Sequence, residues 1–351
     1  MEFSSFKSHH LAYECAVKII PSKPFKRLLQ DEELINSHHY FPRQALICRL
    51  MYNSLAVDIL TITYLLNGLF MIAIPIILGI FLINKFHLSW RIWWIGTATF
   101  VISQIFHIPF NTYILNPLLK NIQDSIQGIT GIVIIALLLG LSAGVFEECA
   151  RYIMYLWPLK NQRTWRVAVL SGAGHGGIEA ILLGGLVLLG YFNMMAYRNV
   201  DLNSLNLTPD NLATTAQQIQ AYWSAPWYAS LLGAVERIFT IPFHIAASVI
   251  VLQVFTRRPG HQQLGWLGLA IFLHTLLDAS AVIIVSQWGG YATEAWLGVL
   301  ALLDIAIIFI LRQPEQEPPE TPAPPPSTEP TPVPIAPVEE TSDNLENTRY
   351  Q

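Results

Sequence analysis

His175 and Glu179 stand one helical turn apart in SGAGHGGIEA, within a run from Trp165 to Phe192 that is otherwise apolar enough to cross a bilayer. An ionisable side chain at that depth costs at least about 2.5 kcal/mol and marks a functional site by default. Three further runs repeat the pattern. They carry Glu147, Glu148 and Arg151 in FEECARY, Glu236, Arg237 and His244 in ERIFTIPFHIAAS, and His274 and Asp278 in HTLLDA. Histidines on three helices supply neutral imidazoles to Zn²⁺ and leave one position for water, whose proton a nearby carboxylate takes. That is hydrolase chemistry. His175 and Glu179, like His274 and Asp278, are spaced to share a helix face, so Glu179 reads as a further metal ligand and Asp278 as an orienting partner.

Glu147 and Glu148 point about 100° apart around a helix, and Arg151 lies within a turn of both. One of them reads as the general base and the other as the arginine's ion-pair partner; the sequence leaves open which. Glu236 and Arg237 read either as a structural ion pair or as groups that touch substrate. A lone intramembrane histidine more often bonds helix to helix than binds a metal, and His107 and Asn111 are read as structural in that sense.

The elements that must position these groups follow from composition. Of 351 residues, 53% are hydrophobic and 13% charged, which excludes an ordinary soluble domain and fits a polytopic membrane protein. The fold class is therefore all-α, a bundle of about seven transmembrane helices near 57–83, 92–115, 128–157, 165–192, 229–255, 264–286 and 294–312. The net charge of −4 and the absence of a basic stripe exclude a nucleic-acid partner. The three cysteines, Cys15, Cys48 and Cys149, form no CxxC motif, so neither disulfides nor a thiolate zinc site is expected.

Lysines and arginines collect after the first, third and fifth runs (Lys85 and Arg91; Lys160, Arg163 and Arg166; Arg257 and Arg258), which places that side and the C-terminus in the cytoplasm of a bacterial-type plasma membrane. Measured from that side at the rise of an α-helix, His175, His244, His274 and Glu148 all lie about 15–18 Å deep. The shared depth, more than any single residue, argues for one centre.

Residues 1–50 carry Lys7, Lys18, Lys23, Lys26, Arg27, Arg43 and Arg49, which would resist the translocation this topology demands. Met51 is accordingly expected as the true start, with a transmembrane peptidase-like domain over 51–312. Residues 313–351 are rich in Pro and Glu and nearly free of large apolar side chains, the composition of a disordered cytoplasmic tail. The stretch 193–228 reads as a long loop whose closing AYWSAPWYAS suits the membrane interface.

FEECAR, GHGGIEA, ER followed by FHIAAS, and HTLLDA, in that order on successive runs, resemble the YhfC family of membrane peptidases. That family is similar to the clan of CAAX and bacteriocin-processing intramembrane proteases, and the resemblance covers about residues 55–312. It implies a helical bundle with its site open to membrane and cytosol, a glutamate-activated water, and histidines that bind metal or stabilise an oxyanion. Glu147 or Glu148 would match the activating glutamate, Arg151 the arginine, His175 and His274 the histidines and Asp278 the last partner, with His244 an addition. Two departures stand out. Two residues, not three, separate the glutamates from the arginine, and Ser171 replaces the phenylalanine four residues before the first histidine.

The expected function is an intramembrane metal-dependent endopeptidase acting, with zinc, on a membrane protein or lipidated peptide among membrane lipids. Alternatives from other classes are a transporter or proton- or ion-coupled permease that uses the same groups as a relay, and a non-catalytic membrane binding protein. Inverted repeats, which would favour transport, are not found in the sequence.

Overall fold

The computed structural model describes residues 42–198, 200–205, 207–257 and 263–313. Most of the expected N-terminal segment and the expected tail from residue 314 lie outside these residues. The described chain is α-helical: α1 (Pro42–Phe86), α2 (Trp90–Phe110), α3 (Asn116–Ser125), α4 (Gly128–Leu156), α5 (Trp165–Tyr197), α6 (Pro209–Ser224), α7 (Leu232–Thr256), α8 (Gln263–Trp288) and α9 (Gly290–Ile310). Backbone groups in hydrocarbon must bond within their own segment, so a chain this apolar has little choice but helix.

Six helices are long and apolar enough to cross a membrane: residues Ile59–Phe86 of α1, α4, α5, a stretch Ala229–Thr256 that contains α7, α8, and α9. The remaining expected span, 92–115, is helical as α2 and continues through a π-helical turn, Asn111–Leu115, into α3. It is not among the six, and its run carries the polar residues Gln104 and His107, with Asn111 at the turn that follows. Outward-facing Ile77, Phe81, Phe106, Leu186, Phe272 and Phe309 give the bundle an apolar exterior, as a lipid-facing surface requires.

α7 is the hub. In its span 78% of the most apolar window is buried, against 17–39% in the other five, so its polar residues face protein rather than lipid. It packs on α5, α8 and α9, while α4 packs on α8 and α2, and α5 on α1 and α2. Side-chain caps start α2 and α5: Ser89 Oγ accepts from the Arg91 N–H, and Thr164 Oγ1 from the Val167 N–H, where the basic loop turns into α5.

One sequence expectation changes here. The stretch 193–228 is not one loop, because Thr208 caps the helix α6 within it. This helix is held by Tyr222, which stacks on Tyr64 of α1 at 4.1 Å between ring centroids. Asp304 is buried in α9 with Oδ2 unpartnered.

Candidate functional site

Four helices bring their ionisable residues together in the middle of the bundle. Close packing makes this possible. A Cβ on Gly176 of α5 would meet the His244 ring and Cβ at 2.6–2.9 Å, and one on Gly144 of α4 would meet the Ile271 carbonyl of α8 at 2.9 Å, one turn before His274. Only glycine lets α7 and α8 approach closely enough to deliver their histidines. On α7, Pro242 supplies no N–H to the Ile238 carbonyl, so the ladder is interrupted just before the turn that carries His244.

Glu147 and His175 form the first pair, with His175 Nε2 donating to Glu147 Oε2 at 3.0 Å. Glu148 accepts from the Arg151 guanidinium and from His274 Nδ1, the latter at 2.7 Å. Arg151 joins both halves: its Nη2 donates to His244 Nδ1 at 2.7 Å and lies 3.8 Å from Glu147 Oε2. His244 in turn faces Glu179 Oε2 through Nε2 at 2.7 Å, and Arg237 ties Glu179 Oε1, at 2.9 Å, to Glu236. The Nε2 of His274 lies 3.6 Å from Asp278 Oδ2 and 4.0 Å from Glu147 Oε2.

Arg151 therefore engages both glutamates rather than choosing one, and Glu236 and Arg237 are linked to the centre through Glu179. The histidines do not close on one another as a set of three. Among the described residues, the group able to hold a metal ion is Glu147, His175 and His244, whose ligand atoms lie within 4.8 Å of one another and are all buried, while His274 turns its Nδ1 to Glu148.

This donor set is of the zinc type, two imidazoles and one carboxylate, and His244 joins it only where its Nδ1 exchanges the Arg151 guanidinium for the metal. The His175 nitrogen that faces Glu147 is Nε2; Nδ1, across the ring, is buried without a hydrogen-bond partner. Glu147 and Glu148, when ionised, outnumber the guanidinium of Arg151 that lies between them, which favours a further cation beside them.

Exposure is graded. The Glu147 side chain is 7% accessible, but Glu179 is 23%, Asp278 34% and Glu236 40%. All three of the latter lie beyond the histidines of their helices, counted from the basic loops. Below the histidines, towards those loops, the bundle is closed by Tyr155, whose hydroxyl lies 2.7 Å from Ser248 Oγ, and by Ser171, 3.2 Å from the same atom.

Gln104 of α2 was missed by the sequence reading. Its amide donates to Glu147 Oε1 at 3.1 Å. The available signal was its spacing with His107 and Asn111 along one helix, in a run otherwise apolar.

A bundle of membrane-length helices enclosing a buried Glu/His/Arg centre defines a multi-pass membrane protein with a candidate metal site. Residues 70–302 match the YhfC intramembrane metalloprotease family. The chain is also 31% identical over 254 residues to the "Uncharacterized membrane protein YhfC" of Bacillus subtilis (strain 168), covering 70% of this chain and 93% of that protein. The chain belongs to the YhfC family and is an integral, multi-pass membrane protein. No solved structure matches it.

Proposed function

We propose that the protein is an intramembrane metal-dependent endopeptidase in which Glu147, His175 and His244 hold Zn²⁺. The observation that carries this reading is the convergence of those three ligand groups at a buried point among membrane-spanning helices. When bound, zinc would supply a Lewis acid and a water acidic enough to attack a peptide carbonyl at neutral pH.

The remaining residues divide the work. Glu148 accepts the Nδ1–H of His274, which leaves Nε2, facing Glu147 and Asp278, as the ring atom that exchanges a proton. His274 Nε2 takes the proton of the attacking water and returns it to the leaving amine, with Glu148 stabilising the imidazolium between. Arg151 offsets the two carboxylates, and a bound Zn²⁺ would take its place at His244 Nδ1. Glu179, braced by Arg237, orients His244 from its other nitrogen. On this reading Glu147 is a ligand and Glu148 the partner of the base, in place of the general base and ion-pair partner read from the sequence.

The substrate is a membrane protein or lipidated peptide, approaching from the end of the bundle where Glu179, Asp278 and Glu236 reach the surface. With the basic loops and the C-terminus cytoplasmic in a plasma membrane, that end is the outer one.

Glu147→Gln and Glu148→Gln separate the two roles. Zinc content and zinc-dependent release of peptides from native membranes, read by mass spectrometry, are the measurements. Glu147→Gln loses zinc. Glu148→Gln keeps zinc and slows cleavage by about 10²–10⁴-fold; a Glu148→Gln variant as active as wild type would sink the assignment, and absence of zinc-dependent cleavage by wild type would sink the peptidase.

A further inference from the structure

The residues read as structural on α2 form a line of hydrogen bonds that ends on Glu147. Ser142 Oγ donates to Asn111 Oδ1 at 2.7 Å, and Asn111 Nδ2 meets His107 Nε2 at 2.9 Å. His107 Nδ1 meets Gln104 Oε1 at 3.3 Å, and Gln104 Nε2 donates to Glu147 Oε1 at 3.1 Å. Directions are forced along the line. The Asn111 amide nitrogen can only donate, so His107 Nε2 accepts; His107 then carries its proton on Nδ1 and donates to the Gln104 carbonyl, which turns the Gln104 amide nitrogen to Glu147.

Every donor thus points the same way, towards one carboxylate oxygen. The local fold serves this arrangement. Asn111 opens the π-helical turn of α2, a geometry that redirects side chains and recurs at functional sites. His107 is buried and stacked on Phe146 at 5.3 Å, so its ring has no freedom to turn to another partner. Two amides in the line make it a poor proton conductor but a good clamp, because an amide presents a fixed donor on one side and a fixed acceptor on the other.

We infer that Ser142, Asn111, His107 and Gln104 form an oriented donor relay that clamps Glu147 Oε1 and so presents Oε2 to His175 and the centre. This rests on the reading of Glu147 as a metal ligand. The members are positioning residues: none touches substrate, and Gln104 alone touches Glu147. Hydrogen-bonded partners of metal ligands are worth about 10–100-fold in metal affinity, which sets the effect to expect.

The test has two arms, both on full-length protein in detergent. In the first, zinc dissociation constants come from competition with a chelator. Gln104→Leu weakens zinc by about 10–100-fold. His107→Phe, which keeps the stacking on Phe146, weakens it less, and the double variant is no worse than Gln104→Leu alone because His107 acts only through Gln104. Should Gln104→Leu not fold, His107→Phe carries this arm. In the second, ¹⁵N-histidine NMR, with His107→Phe assigning the signal, shows His107 neutral with its proton on Nδ1. A proton on Nε2 overturns the relay, as does wild-type zinc affinity in the folded variants. If wild type binds no zinc, the ligand reading of Glu147 falls, and the tautomer alone decides whether Glu147 is clamped from α2.

Discussion

At the scale of single residues, the account turns on Arg151. Its side chain is 1% accessible and engages Glu147, Glu148 and His244 together. Replacing it with Met leaves two buried carboxylates without a counter-charge, and a loss of about 3–5 kcal/mol is expected. The check is the thermal midpoint of Arg151→Met beside the pair Arg151→Met with Glu148→Gln, in which part of the stability returns because one unpaired charge has been removed. No change in the single variant would show that the guanidinium is not the keystone described. The identity of the ionisable residues was legible in the sequence, because charge is rare enough in these runs to stand out. Their pairing was not. Whether Arg151 serves one glutamate or two, and whether His274 faces a metal or Glu148, depends on helix rotations of a few tens of degrees that no spacing rule resolves. Gln104 escaped for another reason: a neutral amide raises no alarm in an apolar run, although here it makes the contact that orients Glu147.

Among the elements, small residues decide how near the helices come. Gly176→Ala sets a methyl against the His244 Cβ and ring at 2.6–2.9 Å, and neither α5 nor the buried α7 can retreat without moving the histidine. The expected outcome is a folded protein with zinc affinity lowered at least tenfold, whereas Gly185→Ala on the same helix, with open space around its Cβ, leaves zinc affinity at the wild-type value. Equal affinities in the two variants would contradict the packing argument, and chelator competition measures both. Helix spans were readable from hydropathy to within a few residues, since length and apolarity are what a bilayer imposes. What hydropathy could not supply was α6, a polar helix set by the Thr208 cap and the Tyr64–Tyr222 stack, or the burial of Asp304, which depends on a neighbour packing over it.

For the whole molecule, sidedness is the consequence that reaches function. The basic loops lie at one end, and the half-buried carboxylates Glu179, Asp278 and Glu236 are displaced towards the other. In a background with Cys15, Cys48 and Cys149 replaced by serine, a cysteine at Glu236 should react with a membrane-impermeant maleimide added outside intact cells. A cysteine at Arg163 should react only after permeabilisation; the reverse pattern would invert the topology and place the open end in the cytoplasm. Above sidedness stands the claim that the centre is a metal site, and the direct measurement is metal per chain by mass spectrometry. It is made on protein purified in detergent without a His tag or chelators, comparing wild type with His175→Ala and His244→Ala. The account predicts about one zinc per wild-type chain, lost in both folded variants. Well-folded wild type without metal, or zinc retained in both variants, would contradict it.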